Sequence, residues 1–77
     1  MKWAKNQFGS WRLNVADGFV TAGIGWSITG ASGYVARVNG YELLGRTSNL
    51  EATKRHVEAY ILMKLAECQK QMEDANA

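Results

Sequence analysis

The sequence predicts an α+β fold in which a three- or four-stranded antiparallel β-sheet packs against one long C-terminal α-helix. Between residues 11 and 46, apolar and polar residues alternate in short runs separated by glycine-containing turns, which is typical of antiparallel strands. From residue 48 to residue 73, apolar residues recur at helical spacing. With 77 residues, the chain is expected to form a single domain, residues 1–77.

The order of strands follows from alternation and turn signals. Residues 1–10 are polar apart from Trp3 and Phe8, and we expect an N-terminal arm or a short leading strand there. Asp17-Gly18 and Asn39-Gly40 are dipeptides that favour hairpin turns because they accept positive φ angles. The strands are expected at residues 11–15, 23–28, 34–38 and 41–44.

Alternation also assigns the two faces of the sheet. Trp11 and Trp26 share their parity with aliphatic residues, which include Leu13, Val15, Ile24 and Ile28, so this face is expected to form the core. Glycines fill most of the opposite face of the second strand, which allows another backbone or a flat ligand to approach closely. The outward face is expected to carry Arg12, Asn14, Gly25, Ser27, Val35, Arg37, Glu42 and Arg46.

The helix has a recognisable beginning. Ser48 precedes Glu51 by three residues, the spacing of a capping box. Glu51 is also four residues from Arg55, which predicts an ion pair on the exposed side of the helix.

The predicted helix is longer than the predicted sheet. A helix from residue 49 to residue 72 would be about 36 Å long, whereas strands of five or six residues span about 17–20 Å. The second half of its apolar stripe therefore needs other cover. The N-terminal arm could fold over it, its end could fray, or a second chain could pack against it as a homodimer. The residues of this dimer seam are Ile61, Leu65, Cys68 and Met72.

Few residues in the chain suggest catalysis, and we expect no enzymatic activity, no cofactor and no metal. His56, the one histidine, has no carboxylate on its predicted helix face to orient it. Cys68, the one cysteine, lies late in the helix, where the helix dipole opposes a thiolate. The glycines at 23, 25, 30 and 33 match neither a dinucleotide fingerprint nor a P-loop.

Composition points to a cytoplasmic protein. A lone cysteine fits a reducing compartment. The start of the chain lacks the apolar core of a signal peptide, and the longest apolar run, residues 59–63, falls far short of the ~20 residues that span a bilayer. The formal charge of +2 is small for a nucleic-acid-binding protein.

A basic patch on the outward face is the candidate contact surface. Arg12, Arg37 and Arg46 are expected to lie there, with small residues between them and Tyr41 beside them. Arginine makes forked contacts with carboxylate, phosphate or guanine. These four residues are the predicted partner-binding residues; an ordinary solvated sheet face is the alternative.

Residues 11–62 resemble the sheet-plus-helix DNA-binding domains found in plant transcription factors that read GCC-type boxes and in the arm-binding domains of tyrosine integrases. The resemblance rests on Leu44-Gly45 after the last strand, Thr47 in the loop, and Glu51-Ala52 in the helix. It implies a three-stranded sheet whose outer face binds DNA. In size and organisation the chain is also similar to phage-encoded inhibitors of host defence complexes, such as anti-CRISPR proteins.

These observations lead to a prediction of a non-enzymatic binding module. Its most concrete form is a phage or mobile-element accessory protein that inhibits a host nucleic-acid-targeting defence complex by occupying its surface. The expected partner is a host protein or nucleoprotein complex, with no membrane involved. Direct DNA binding by the basic sheet face is the alternative, and a virion assembly protein is a third possibility.

Overall fold

The computed structural model describes residues 2–28, 30, 32–43 and 45–75. Every strand pairs antiparallel with its neighbour in sequence, so the five-stranded sheet has the order β1-β2-β3-β4-β5. The predicted α+β class is confirmed, but the sheet has five strands rather than three or four. The additional strand, β1, comes from the segment for which an N-terminal arm or a short leading strand was expected, and the structure has the strand. The elements are β1 Trp3–Lys5, β2 Trp11–Val15, β3 Val20–Ser27, β4 Gly33–Val38, β5 Tyr41–Glu42 and α1 Leu50–Ala75.

The turn between β4 and β5 forms where the sequence predicts it. Asn39 and Gly40 have φ angles of 50° and 87°, as a type I′ hairpin turn requires. The side-chain oxygen of Asn39 also accepts a hydrogen bond of 2.9 Å from the backbone N–H of Thr21, which ties the turn to β3. The predicted last strand is shorter than expected because it ends at Glu42, and Leu44 lies outside the described residues.

The core lies between one face of the sheet and the first half of α1. Its most deeply buried side chains are Leu13 and Ile24 from the sheet, at 2% and 1% exposure, and Val57 and Ile61 from the helix, at 0% and 1%. Each such side chain stabilises the fold by about 1.5–3 kcal/mol through burial. The other buried apolar residues are Val20, Ala22, Ala36 and Val38.

Two residues assigned to the core by alternation are exposed instead. Ile28, at 79% exposure, follows the end of β3. Trp26, at 53% exposure, pairs with Tyr34 at the end of the sheet where the chain enters the helix, and its ring packs edge-on to the Tyr34 ring at 4.9 Å. The first buried residue of the helix is Thr53, so the helix begins to cover the sheet only beyond this end.

The N-terminal segment packs beside the first half of the helix. The indole N–H of Trp3 donates a hydrogen bond of 2.8 Å to Glu58. The Lys54 ammonium lies 3.8 Å from the ring centroid of Trp11, a cation–π contact that joins α1 to β2. Phe8 is 83% exposed. The described part of the arm therefore does not cover the second half of the helix, which was one of the three expected arrangements.

The start of the helix differs from the predicted capping box. Asn49, not Ser48, is the N-cap residue: its side-chain oxygen accepts a hydrogen bond of 3.0 Å from the N–H of Ala52. Thr47 fixes this register, because its hydroxyl accepts a hydrogen bond of 3.1 Å from the Asn49 N–H. Glu51 then pairs with Lys54 at 3.5 Å rather than with Arg55.

The helix extends well beyond the sheet. Its 26 residues span about 39 Å, and the molecule is 48 Å in its longest dimension. Thr53, Val57 and Ile61 are buried, Leu65 is half-buried, and residues 66–75 are all exposed. The expected mismatch in length is therefore present. Ile61 was wrongly assigned to the uncovered part, because the helix docks one turn further along the sheet than the sequence indicated.

Candidate functional site

A cross-strand row on the outer face of the sheet carries two arginines around a glycine. Ala4, Arg12, Gly23, Arg37 and Glu42 are successive partners across the five strands. Because side chains alternate along a strand, and the neighbouring row is buried under the helix, this row points away from the helix. Neighbouring strands lie ~4.8 Å apart, so Arg12 and Arg37 leave the sheet about 10 Å apart with only Gly23 between them.

Gly23 and Gly25 contribute no side chains to the floor of this face, and the Arg12 side chain extends over Gly23. The backbone conformation does not require glycine at either position. A Cβ atom on Gly23 would lie 3.8 Å from a guanidinium nitrogen of Arg12, and one on Gly25 would lie 3.6 Å from the Ser10 hydroxyl, both ordinary van der Waals distances. Neither glycine has a left-handed φ angle. Alanine would fit at both positions, so the fold itself does not require glycine there.

The third arginine is brought to this floor by a close crossing of the chain. The N–H of Tyr34 donates a hydrogen bond of 2.8 Å to the carbonyl of Thr47. A Cβ atom on Gly33 would lie only 3.2 Å from the Cβ of Arg46 and 3.3 Å from the Thr47 carbonyl oxygen. Gly33 therefore lets the chain pass close to β4, which puts Arg46 on the same face as Arg12 and Arg37.

Together these residues surround a shallow basin of about 570 Å³, which we call the arginine basin. Its charged lining consists of the three arginines and Glu42. Arg37 and Glu42 lie 4.0 Å apart with side chains 66% and 45% exposed, a pair that contributes less than about 1 kcal/mol. The basin thus carries an excess of positive charge and groups suited to forked hydrogen bonds with carboxylate or phosphate.

Tyr41 does not lie beside these arginines. It pairs with Val38 across the two-residue turn, so its side chain shares the helix-facing side of the sheet. There it lines a notch of about 320 Å³ between the two hairpin tips and the helix, which we call the helix notch. The prediction that joined Tyr41 to the arginines is therefore wrong, because a two-residue turn puts its flanking residues on one face.

The four residues predicted for the dimer seam lie in different environments. Ile61 belongs to the core. Leu65 packs against the core from its edge and lines the helix notch together with Cys68. Cys68 is exposed, as is Met72 at 62%.

Three large apolar residues are exposed that were not predicted from the sequence to be so. Phe19, at 69% exposure, ends the β2–β3 turn and lines the helix notch, while Leu62 and Met63 are 59% and 52% exposed on the helix. Phe19 follows Asp17-Gly18 directly, so its place at a hairpin tip was the signal to notice.

The groups most associated with catalysis are scattered. His56 and Cys68 are both exposed on α1. Among the described residues, no three His, Cys, Asp or Glu side chains come together in a way that could hold a metal ion. In the same part of the chain, no helix combines the length and the apolar character that a membrane crossing requires.

Comparison with known proteins adds no relative. No family model, no curated protein and no solved structure matches this chain.

Proposed function

We propose that this protein is a non-enzymatic binding module that docks its arginine basin on the carboxylate-bearing surface of a protein partner. The observation that carries the proposal is the pair of glycines on this face: Gly23, which lies between Arg12 and Arg37 with the Arg12 side chain extended over it, and Gly25, which lies beside Ser10. A flat floor admits another backbone or a planar group, and the arginines at its rim supply the hydrogen-bond donors.

The two floor glycines argue for use of this surface because they lower stability. Glycine in a strand interior costs about 0.5–1 kcal/mol relative to alanine, since it loses more conformational freedom on folding. At Gly23 and Gly25 an added Cβ would meet only ordinary contacts. The loss of stability is therefore not required by the fold, and close approach by a partner explains it.

The charges favour a protein partner over a uniform phosphate backbone. Glu42 lies in the same basin as the arginines, 4.0 Å from Arg37. An acidic group there would repel a continuous row of phosphates, whereas a protein surface can offer carboxylates to the arginines and a donor to Glu42.

The proposal is tested by capture of a partner from a lysate of the cells that naturally contain the protein. The double variant Arg12→Ala/Arg37→Ala should capture at least tenfold less of the partner than the wild type does. The control, Arg55→Ala/Lys70→Ala, removes two exposed cations from the helix and should capture as the wild type does. Equal capture by both double variants, or capture of no protein by the wild type, contradicts the proposal.

Duplex DNA is the second candidate, favoured by the presence of Arg12, Arg37 and Arg46 on one exposed antiparallel face. Phosphate contacts make affinity fall steeply with salt. An electrophoretic shift of random duplex by micromolar protein at low salt, lost on raising the salt, would support DNA binding. No shift under those conditions eliminates it.

Inhibition of a host defence complex by a phage or mobile-element protein stays a prediction from the sequence, as does the cytoplasmic location. Surface occupation by the arginine basin is compatible with such a role.

A further inference from the structure

One end of the sheet carries three large apolar side chains that are exposed. In an antiparallel sheet whose strands follow chain order, the β1–β2 and β3–β4 connections lie at the same end, and the chain returns to that end after β5. Phe8 in the β1–β2 turn is 83% exposed, and Ile28, which follows β3, is 79% exposed. Trp26, near the end of β3, is 53% exposed. We call these three residues the apolar tip.

A hydrogen-bonded turn holds Phe8 at this end. The side-chain oxygen of Asn6 accepts hydrogen bonds of 2.9 Å from the N–H groups of Phe8 and Ser10. The Asn6 N–H in turn donates a hydrogen bond of 2.8 Å to the Ser10 carbonyl. The Phe8 ring takes no part in these bonds, so the turn itself would form equally well with a polar residue at this position.

Amphipathic aromatic rings stand behind the outermost apolar side chains. Phe8 and Ile28 lie in the connections beyond the strands, whereas Trp26 and Tyr34 are paired residues within β3 and β4. Their two rings pack edge-on at 4.9 Å. Tryptophan and tyrosine are enriched at the boundary between water and lipid, because each has an apolar body and a polar group. The order from the outside inward is therefore the order found at a membrane interface.

Positive charge flanks the apolar tip on both faces of the sheet. Lys5 ends β1 directly before the turn, and its ammonium lies 5.9 Å from the ring centroid of Trp11, on the helix-facing side. On the outer face, a guanidinium nitrogen of Arg46 lies 4.0 Å from the position that a Cβ atom would take on Gly30. Each of the two connections therefore has a cation beside it.

Acidic residues are absent from the sequence at and around the apolar tip. No aspartate or glutamate occurs in residues 5–11, 25–34 or 45–50. The next acidic residue along the chain, Glu51, is paired with Lys54 at 3.5 Å. This end of the molecule is therefore both apolar and positively charged, which suits a surface that is apolar inside and anionic outside.

We propose that the apolar tip inserts into the interfacial layer of a membrane that contains anionic lipids, with Lys5 and Arg46 at the headgroups. Binding of this kind grows with the apolar area inserted and with the attraction of cations to anionic lipids. Phe8 and Ile28 project from two different connections, an arrangement that a fluid lipid layer accepts without a matching shape. A protein partner would need a fitted pocket for each of these side chains.

This membrane contact is separate from docking by the arginine basin, because it uses neither Arg12 nor Arg37. It departs from the sequence-based expectation that no membrane is involved. That expectation was drawn from the short apolar runs of the sequence, which bear on spanning a bilayer and not on contact with its surface.

Flotation with lipid vesicles tests the contact. The wild-type protein should float with vesicles of phosphatidylcholine and phosphatidylglycerol, and several-fold less with vesicles of phosphatidylcholine alone. Phe8→Ser/Ile28→Ser should reduce the fraction bound to the mixed vesicles by roughly tenfold or more, because the inserted apolar area is lost. The matched control, Phe19→Ser/Leu62→Ser, removes side chains that are 69% and 59% exposed elsewhere on the molecule. This control should bind as the wild type does.

Tryptophan fluorescence and a charge variant test the orientation on the vesicle. The mixed vesicles should shift the emission of the wild type to shorter wavelength, because Trp26 leaves water, and Trp26→Phe should abolish this shift. Lys5→Glu should weaken binding to the mixed vesicles, whereas Lys70→Glu, far along the exposed helix, should not. Circular dichroism of each variant verifies that the fold is kept.

Several outcomes overturn the proposal. They are no flotation of the wild type, equal flotation with the neutral vesicles, equal loss in the control variant, and an emission shift that persists in Trp26→Phe. A protein that the wild type captures and Phe8→Ser/Ile28→Ser does not, together with no vesicle binding, would assign the apolar tip to a protein partner instead.

Discussion

Asn49 shows how a single residue sets the start of the helix. Ser48 has the better sequence signal, since Glu51 follows it at capping-box spacing. In the structure Asn49 takes the role, because Thr47 is held by its bridge to Tyr34 and accepts the Asn49 N–H. The choice between adjacent capping residues is therefore made by a contact distant in sequence, which a local pattern does not contain.

Loss of the Asn49 cap should weaken the fold. Asn49→Ala should lower the free energy of unfolding by about 1 kcal/mol, since the N–H of Ala52 loses its acceptor. Ser48→Ala should change it by less than ~0.5 kcal/mol. Urea titrations followed by circular dichroism measure both. A larger effect at Ser48 than at Asn49 would reverse the assignment of the cap.

The β2–β3 turn contains strain at an alanine. Ala16 and Asp17 both have φ angles of 53°, and Phe19 closes the turn with a hydrogen bond of 3.1 Å to the Ala16 carbonyl. A left-handed φ angle costs an alanine about 1–2 kcal/mol, whereas aspartate tolerates it better. The turn was predicted from Asp17-Gly18, but the strain at Ala16 depends on the loop length that the strand register imposes.

Relief of this strain should stabilise the protein. Ala16→Gly should raise the free energy of unfolding by about 0.5–1 kcal/mol, because glycine adopts the native φ angle freely. The same substitution at the exposed helix residue Ala59 should lower it by about 1 kcal/mol. Chemical denaturation of the two variants gives the comparison, and a decrease at both positions would contradict the strain.

At the scale of elements, the sequence predicted whether a segment forms a helix or a strand better than it predicted where each element begins and ends. The helix and the strands with clear alternation were found, whereas β1, of three residues, was too short to show a period. The predicted boundary between the covered and uncovered parts of the helix was wrong at Ile61, because the docking position of α1 depends on the length of the connection after β5. The outward face of β3 was predicted correctly in its main feature, the glycines, since parity alone determines it.

Replacing either floor glycine of β3 by alanine should stabilise the fold. Gly23→Ala and Gly25→Ala should each raise the free energy of unfolding by about 0.4–1 kcal/mol, because the unfolded chain loses freedom and the added Cβ meets no clash. Gly33→Ala is the control and should lower it, since its Cβ would press against Arg46 and Thr47. Destabilisation at all three positions would mean that the floor glycines are structural.

At the scale of the whole molecule, the fold leaves two different surfaces open on opposite sides of the sheet. The arginine basin is polar and positive, whereas the helix notch is lined mainly by apolar and aromatic side chains. The alternation of side chains along the strands was enough to predict that Arg12 and Arg37 share a face of the sheet. The position of Arg46 depends on the close passage of the chain beside Gly33. Tyr41 was misplaced because the geometry of the two-residue turn was not applied to the residue that follows it.

The measurement that most directly tests the use of the arginine basin compares stability and partner capture in one variant, Gly25→Gln. Its side chain points into the basin and raises the floor, while the strand keeps its pairing. We predict a free energy of unfolding at least equal to that of the wild type, together with loss of the partner that the wild type captures. A variant that is as stable as the wild type and captures the partner equally well would contradict the proposed docking surface.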